Sequence, residues 1–431
     1  MHRARSHAEG TLAASQEAPP DILRHPLVPQ GEPELVADAA ALADALAHAR
    51  AAGSFAYDTE FIGELSYHPK LCLVQLATAS RVFVVDPLAG LDLMPLWELI
   101  VDPSVEKIVI AGAQDLEPAF RHAGRPPANI MDVQVAAGFC GLPYPLSLAR
   151  LVEEVVGVSL GKHLTFTHWD QRPMSPDHLR YAADDVRYLP AARAMLAEAL
   201  EELGHAAWAA QECRVLCEGA LYRFDSDVQY LRVQGHGSLR PRQLAVLREL
   251  TAWRDQAARQ QDLPPRALVK DDVLVALARL APPAVKDLNE VRGLPRPVEE
   301  AYGAEIVAAV ARGQAAKPGE LPPAPDARES PRDKLRIDSL VHALSAYGFG
   351  RRIDPALVAT RAEVAACYRA ARSGGPPNAT HRVGNPSPLP AGLRLAQGWR
   401  KEFLGSLLGD FLGGRTQIRL AWSDGRLQAE S

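Results

Sequence analysis

Strand-forming runs in this chain crowd into one stretch, residues 34–112, and almost vanish afterwards, which splits it into an α/β part and a helical part. ELVADAAALADALAHARAAG reads as a short strand followed by an alanine-rich helix, with Asp38 as its N-cap and Gly53 as its stop. SFAYDTEF, LCLVQLAT, RVFVVDP and EKIVIAG follow as strands, each rich in β-branched or aromatic residues. Helical patterns fill the rest up to about Cys217. A meander of strands giving way to mixed α/β order predicts a mixed sheet flanked by helices.

Past a boundary near residues 218–236, LRPRQLAVLRELTAWRDQAARQQ carries leucines and alanines at helical spacing, and short helices continue to about Arg312. A Pro/Ala/Gly-rich linker, QAAKPGELPPAPDARES, precedes another helical module. RQQDLPPRALVKDDVLVALAR lines up with RRIDPALVATRAEVAACYRA, so the two modules are expected to be related. GGPPNATHRVGNPSPLPAG reads as a long loop inside the second, and IRLAW–SDG–RLQAE as a terminal hairpin. A length of 431 residues suggests about three domains. The expected division is a disordered leader over 1–30, an α/β domain over 31–217, helical modules over 236–314 and 330–412, and a tail over 413–431.

With 47% hydrophobic and 23% charged residues, the composition is that of a soluble globular protein. No apolar run approaches the roughly 20 residues of a membrane-spanning helix. The start, MHRARSHAEGTLAASQEAPP, lacks the apolar stretch of a secretory signal. The cysteines, Cys72, Cys140, Cys213, Cys217 and Cys367, form no CxxC pair and no zinc spacing; a reducing, cytoplasmic location is expected. The net charge of −5 is uneven. Residues 236–312 hold 12 Lys and Arg against 10 Asp and Glu, and residues 330–412 hold 12 against 6, leaving −13 for the remainder. That split suits attraction of a phosphate backbone by the C-terminal modules, although a solvated basic surface gives the same count.

Three short segments carry chemistry. In SFAYDTEF, Asp58 and Glu60 are two apart and leave the same face of the strand, while Phe55, Tyr57, Thr59 and Phe61 take the other. Paired carboxylates at the end of an apolar strand repel one another unless a cation neutralises them, and that is a physical reason to expect a metal. The plain reading is an edge strand showing both to solvent. In IVIAGAQDLEPAF a strand breaks at Ala111-Gly112, with Asp115 near the first turn of the next helix, where an acid is also an ordinary capping choice. In SPDHLRYAADDVRYLPAARAML, Ser175 is a good N-cap and Pro176 suits the first helical position. Tyr181 and Asp185 then share a helix face, Leu179, Ala182, Val186 and Leu189 can pack inward, and Asp184 points elsewhere.

Together these segments resemble the DEDD-type 3′→5′ exonuclease superfamily, in its tyrosine subclass, and within it the ribonuclease D family. DTEFIGELSYHPKLCLVQLAT is similar to that family's first motif along its whole length. HWDQRPMSPDHLRYAADDVRYL is similar to the run leading into its third, including a W…RP…S element. LRPRQLAVLRELTAWRDQAARQQDLP…VRGLP looks like the helicase-and-RNase-D C-terminal (HRDC) domain, and LAQGWRKEFLG like the family's second copy of it. The resemblance spans about residues 35–412 and implies an α/β ribonuclease H-like exonuclease domain followed by two small all-α HRDC-type modules. One position departs: Ile110 stands where the family usually has a histidine, five residues before the acid of the second motif.

The resemblance further implies two divalent cations, Mg²⁺ or Mn²⁺, held by Asp58, Glu60, Asp115 and Asp185. Asp58 would bridge both, Glu60 and Asp185 would complete the nucleophile side, and Asp115 would support the other through water. An all-oxygen set suits these ions and argues against zinc. The Tyr181 hydroxyl would orient the attacking water, and 5′-mononucleotides would leave the 3′ ends of tRNA precursors and other small RNAs. Phe61, Leu65 and Trp169 are candidates to stack on terminal bases, against ordinary packing; His163 and His168 are candidates to touch phosphate, against the plainer reading as surface or packing histidines. Arg351, Arg352, Arg400 and Lys401 are candidate phosphate contacts, against a default of solvated charge. A monomer working away from membranes is expected. A DNA exonuclease, or a non-catalytic RNA-binding scaffold on a decayed nuclease fold, are the competing readings.

Overall fold

A computed structural model describes residues 22–63, 66–160, 168–321, 329–373, 393–412, 416–423 and 426–430. Its main sheet contains β1 (Glu34–Val36), β2 (Ser54–Ile62), β3 (Lys70–Ala77), β4 (Val82–Val85), β5 (Glu106–Val109) and β6 (Ile130–Asp132), in the order β1-β4-β3-β2-β5-β6. β2, β3 and β4 form an antiparallel meander, while β1 joins β4, β5 joins β2 and β6 joins β5 in parallel. The sheet is mixed, as the order of strand and helix patterns predicts.

β2 lies inside the sheet and is covered on both faces. Phe55 and Tyr57 pack toward α1 (Ala39–Ala52), α2 (Met94–Ile100) and α3 (Ala113–Ala123), and Ala56 faces the opposite layer. α1 begins and ends where the sequence places it: Asp38 accepts from the Ala40 and Ala41 N–H groups at 2.9 Å, and Gly53 closes the helix at φ 74°. α4 (Val133–Gly138), α5 (Leu148–Leu151), α6 (Pro176–Arg187), α7 (Leu189–Leu203) and α8 (Ala206–Cys213) complete this part, with α6 and α7 on the second face.

Residues 22–30 correct the expected leader. Val28 is 1% exposed and packs with Val152, Tyr188 and Ala191, while Arg187 donates to the Pro29 and Gly31 carbonyls. An apolar segment, ILRHPLV, follows the polar start and is long enough to dock.

The helical part contains α9 (Ser226–Gln229), α10 (Pro241–Gln260), α11 (Pro265–Leu268), α12 (Asp271–Leu280) and α13 (Arg296–Ala315), then α14 (Pro331–Phe349), α15 (Pro355–Val358), α16 (Arg361–Ser373), α17 (Gly398–Leu404) and α18 (Leu407–Leu412). The internal repeat has a structural counterpart. α10–α11–α12 and α14–α15–α16 each run from a long helix, through a left-handed residue (Asp262, Arg352) and a one-turn helix opened by proline, into a further helix. α10 and α13 approach closely because position 313 is glycine; a methyl there would run into the Val246 backbone. The hairpin expected at the end forms as β7 (Arg419–Ser423) and β8 (Arg426–Glu430), paired antiparallel, with β8 beside α14. The long loop expected inside the second module falls outside the described residues. No described helix is long and apolar enough to cross a membrane, and all of the cysteines are free.

Candidate active site

β2 outruns its parallel neighbour. β5 pairs with it only from Ser54 to Ala56, so from Tyr57 onward that edge is open. α3 begins just after β5 stops. Ala111 takes a left-handed conformation (φ 53°) and Gly112 follows so tightly that a side chain there would strike Val109. This turn brings Asp115, in the first turn of α3, against the exposed edge of β2. The Tyr57 hydroxyl donates to the Asp115 carbonyl at 2.8 Å, and the Thr59 hydroxyl donates to its carboxylate.

α6 crosses β2, β3 and β4. Ser175 caps it, Pro176 opens it, and the buried Ala182 and Val186 seat it on the sheet, as their spacing predicts. Tyr181 and Asp185, one turn apart, share the field of Asp58 and Glu60: both strand acids act on the tyrosine, and Glu60 acts on Asp185.

Burial drives the electrostatics, with repulsion second. Asp58 is held well above the usual carboxylate range by burial and then by Asp115 and Asp185. Burial, with Glu60 and Asp184 behind it, does the same to Asp185. Burial and Asp115 push Glu60 up to about 7, although a hydrogen bond from the Trp169 indole opposes this. Asp115 is raised by burial, while its hydrogen bond from Thr59 pulls the other way. Burial and the nearby carboxylates move the Tyr181 hydroxyl up to about 12, so it carries its proton at neutral pH. Among the described residues, no three His, Cys, Asp or Glu side chains are gathered as a ready-made metal cage. The donor chemistry nevertheless fits a hard divalent cation, because these are carboxylates whose mutual repulsion such an ion would relieve.

Some expected contacts change role. Trp169, a candidate to stack on bases, is 7% exposed and packs among Cys72, Leu73 and Ala182, with its ring 5.8 Å from that of Tyr181. Its position is set by Arg172 of the RP element, which donates to the Trp169 and Cys72 carbonyls and binds Asp86 through two hydrogen bonds of 2.7 Å. Arg400, a candidate phosphate contact, is interior: it pairs with Glu212 at 2.8 Å through both terminal nitrogens and donates to the Leu357 carbonyl. A guanidinium so enclosed is unavailable to a phosphate. Arg351, Arg352 and Lys401 are exposed, and Arg351 lies over the Tyr347 ring at 3.6 Å. Leu65 and His163 lie outside the described residues, and His168 is exposed.

Phe61 lines a cleft of about 1470 Å³ between the sheet domain and the first helical module, beside Ala113 and Gln114, the near neighbours of Asp115. Arg223 and Arg232 also line it, with Arg121, Arg259 and Arg266, which pair with Glu117, Asp255 and Asp271 on the same wall, interleaved with Tyr67, Phe120, Tyr222 and Phe224; Arg254 is buried against Asp271. The charge count missed this concentration because its arginines come from separate segments. Asp132 was also missed. Buried at the end of β6 and raised to about 6 by burial, it accepts from the Ala111 and Gln134 N–H groups, and so braces the turn that presents Asp115.

The 3′–5′ exonuclease family model matches residues 33–201, and the HRDC domain model matches residues 243–310. Ribonuclease D of Gluconacetobacter diazotrophicus is 36% identical over 351 residues, which is 81% of this chain and 84% of that protein. Ribonuclease D of Acidiphilium cryptum is 34% identical over 391 residues, 90% of this chain and 95% of that protein. The chain belongs to the ribonuclease D family. The crystal structure of Escherichia coli RNase D, an exoribonuclease involved in structured RNA processing, superposes with a TM-score of 0.72 at 30% identity, covering 90% of this chain and 100% of that one. The activity is therefore 3′→5′ removal of nucleotides from RNA, and the family is one of divalent-metal-dependent nucleases.

Proposed function

We propose that Asp58, Glu60, Asp115 and Asp185 hold two divalent cations, Mg²⁺ or Mn²⁺, and that Tyr181 orients the attacking water. The observation that carries this reading is the overlap of four carboxylate fields at the open edge of β2, drawn from a strand and two separate helices. Once bound, the cations supply Lewis-acid activation of water and neutralise charge on the scissile phosphate. The chain's own part is positional. Thr59 and Tyr57 fix Asp115, and Trp169 fixes Glu60. The protonated Tyr181 hydroxyl is a donor and acceptor for water at the same face.

The substrate in this reading is a small structured RNA with a free 3′ end, such as a tRNA precursor, shortened to 5′-mononucleotides by a monomeric cytoplasmic enzyme. The arginine- and aromatic-lined cleft would guide the strand past Phe61 toward the acids, as basic grooves with stacking rings do for single strands. Residues 31–217 form the catalytic unit, 236–314 and 330–412 the HRDC-type modules.

Incubation of 3′-labelled single-stranded RNA and DNA, with Mg²⁺, Mn²⁺ or EDTA, tests the reading. Release of mononucleotides from RNA, abolished by EDTA, is expected. Asp58→Asn and Asp185→Asn should lose turnover while still binding RNA, and Tyr181→Phe should be slowed but active. Near-normal rates in either aspartate variant would overturn the metal site, and equal degradation of DNA would overturn the RNA preference.

A further inference from the structure

The least comfortable polar group in the sheet stands directly beside the acids. Gln75 on β3 is the cross-strand partner of Asp58 on β2. Opposed residues in an antiparallel pair project from the same face, with Cβ atoms roughly 4.5–5.5 Å apart. Gln75 has no exposed surface, and neither its Oε1 nor its Nε2 has a hydrogen-bond partner. Its neighbours along that face show what covers it. Leu73 packs with Ala182 and Trp169, and Ala77 belongs to the same apolar cluster as Val186, so Gln75 lies under the part of α6 that carries Tyr181 and Asp185.

Packing alone does not favour an amide there. A buried donor and acceptor left unpaired are unfavourable compared with an apolar side chain of the same length, and Leu or Met would continue the row of Leu73 and Ala77. A glutamine at this point is explained if its amide has work to do on the charged form of the site. The cross-strand pairing also places Asp58 within the length of a glutamine side chain.

We propose that Gln75 is a positioning residue for the acid cluster, its Nε2–H donating to the Asp58 carboxylate when a divalent cation is held and so fixing how that carboxylate faces the ion. The proposal rests on the reading of Asp58 as a cation ligand. Partners that orient a metal-bound carboxylate contribute to ion affinity and rate without touching substrate, and their loss typically weakens either by about 10–100-fold.

The test is Gln75→Met in the full-length protein, with Gln75→Leu as a second variant should the first not fold. The expected pattern is a dissociation. Unfolding of the metal-free protein by urea should occur at an unchanged or higher midpoint, because an orphaned amide has been removed. Mn²⁺ binding measured by calorimetry should weaken by about tenfold or more, and kcat should fall with KM for RNA unchanged. Wild-type Mn²⁺ affinity and kcat in the variant would overturn the proposal, as would a parallel loss of stability and activity, which marks a purely structural role. Asp58→Asn run alongside separates the layers. If it binds Mn²⁺ as the wild type does, the metal reading itself fails. If it loses binding while Gln75→Met keeps it, only the role of Gln75 fails.

Discussion

Residues 230–315 keep an apolar core of their own, in which Leu244, Leu250, Trp253, Leu274 and Ile306 pack together, and Tyr67 of the catalytic domain packs against it. Residues 331–412 are built differently. Ile337, Leu344, Tyr347, Trp399 and Phe403 share one core with Val133, Phe139, Leu196 and Ala209 of the sheet domain. At that seam Trp399 meets the Phe139 ring edge-on at 4.8 Å and donates to Glu212 at 2.6 Å, beside the Arg400 pair. The first module is tied by polar contacts instead. The Tyr67 hydroxyl donates to Asp255 at 2.6 Å, Asp262 accepts from the Tyr67 N–H, and Arg259 donates to the Tyr67 hydroxyl from over its ring. Modules with the same order of helices thus meet the enzyme in opposite ways, one as a separate body across a cleft and the other as part of the catalytic domain's interior.

The largest effect should come from removing residues 330–412. The basic excess of these residues by itself predicts weaker RNA binding with a flatter salt dependence; the shared core predicts loss of cooperative folding as well, visible as a missing unfolding transition in calorimetry. A truncated protein with a normal transition would break the contrast. Next in size, Glu212→Ala leaves Arg400 buried without its carboxylate and should cost about 3–5 kcal/mol in urea unfolding. Replacing both partners, Glu212→Leu with Arg400→Met, should recover most of it.

The pH response comes third and has opposite signs in two places. Glu60 and Asp132 are raised in the folded state to about 7 and about 6, chiefly by burial. The metal-free folded protein therefore holds more protons than the unfolded chain between about pH 4 and 7, and its stability falls as pH rises through that window. Glu212 is lowered, because hydrogen bonds from Arg400 and Trp399 outweigh the effect of burial. Its contribution is present above its unfolded value of 4.5 and is lost as pH falls through the lower folded one. Urea midpoints in EDTA should rise from pH 8 to pH 5, and Glu212→Gln should remove part of the decline below pH 4.5. A flat profile from pH 8 to 5 would show that the site acids titrate normally. The smallest effect belongs to the polar tie: Tyr67→Phe should change stability by less than about 1 kcal/mol. Arg259→Ala should reduce the salt slope of RNA binding by about one.

Local features were legible because their causes are local. Caps at Asp38 and Ser175, the common face of Asp58 and Glu60, and the one-turn spacing of Tyr181 and Asp185 follow from backbone geometry over a few residues. The placement of Asp115 was legible as a strand-to-helix turn, but not the grip of Tyr57 and Thr59 on it, which depends on β5 ending early. Arg400 looked like surface charge because its partner, Glu212, is 188 residues away in the chain. The arginine cleft stayed hidden for a related reason: regional charge counts average over residues that only folding assembles.

The strap formed by residues 22–31 has a practical consequence. Arg187 is itself buried and holds the Pro29 and Gly31 carbonyls from a position only two residues beyond Asp185. A recombinant version trimmed to begin at residue 32, a natural choice if the start is taken for a floppy leader, would take away two of that guanidinium's acceptors, leaving its pair with Asp184, and would uncover Val152, Tyr188 and Ala191. Where the expressed protein begins is thus a variable of its stability, and purification tags belong ahead of residue 22.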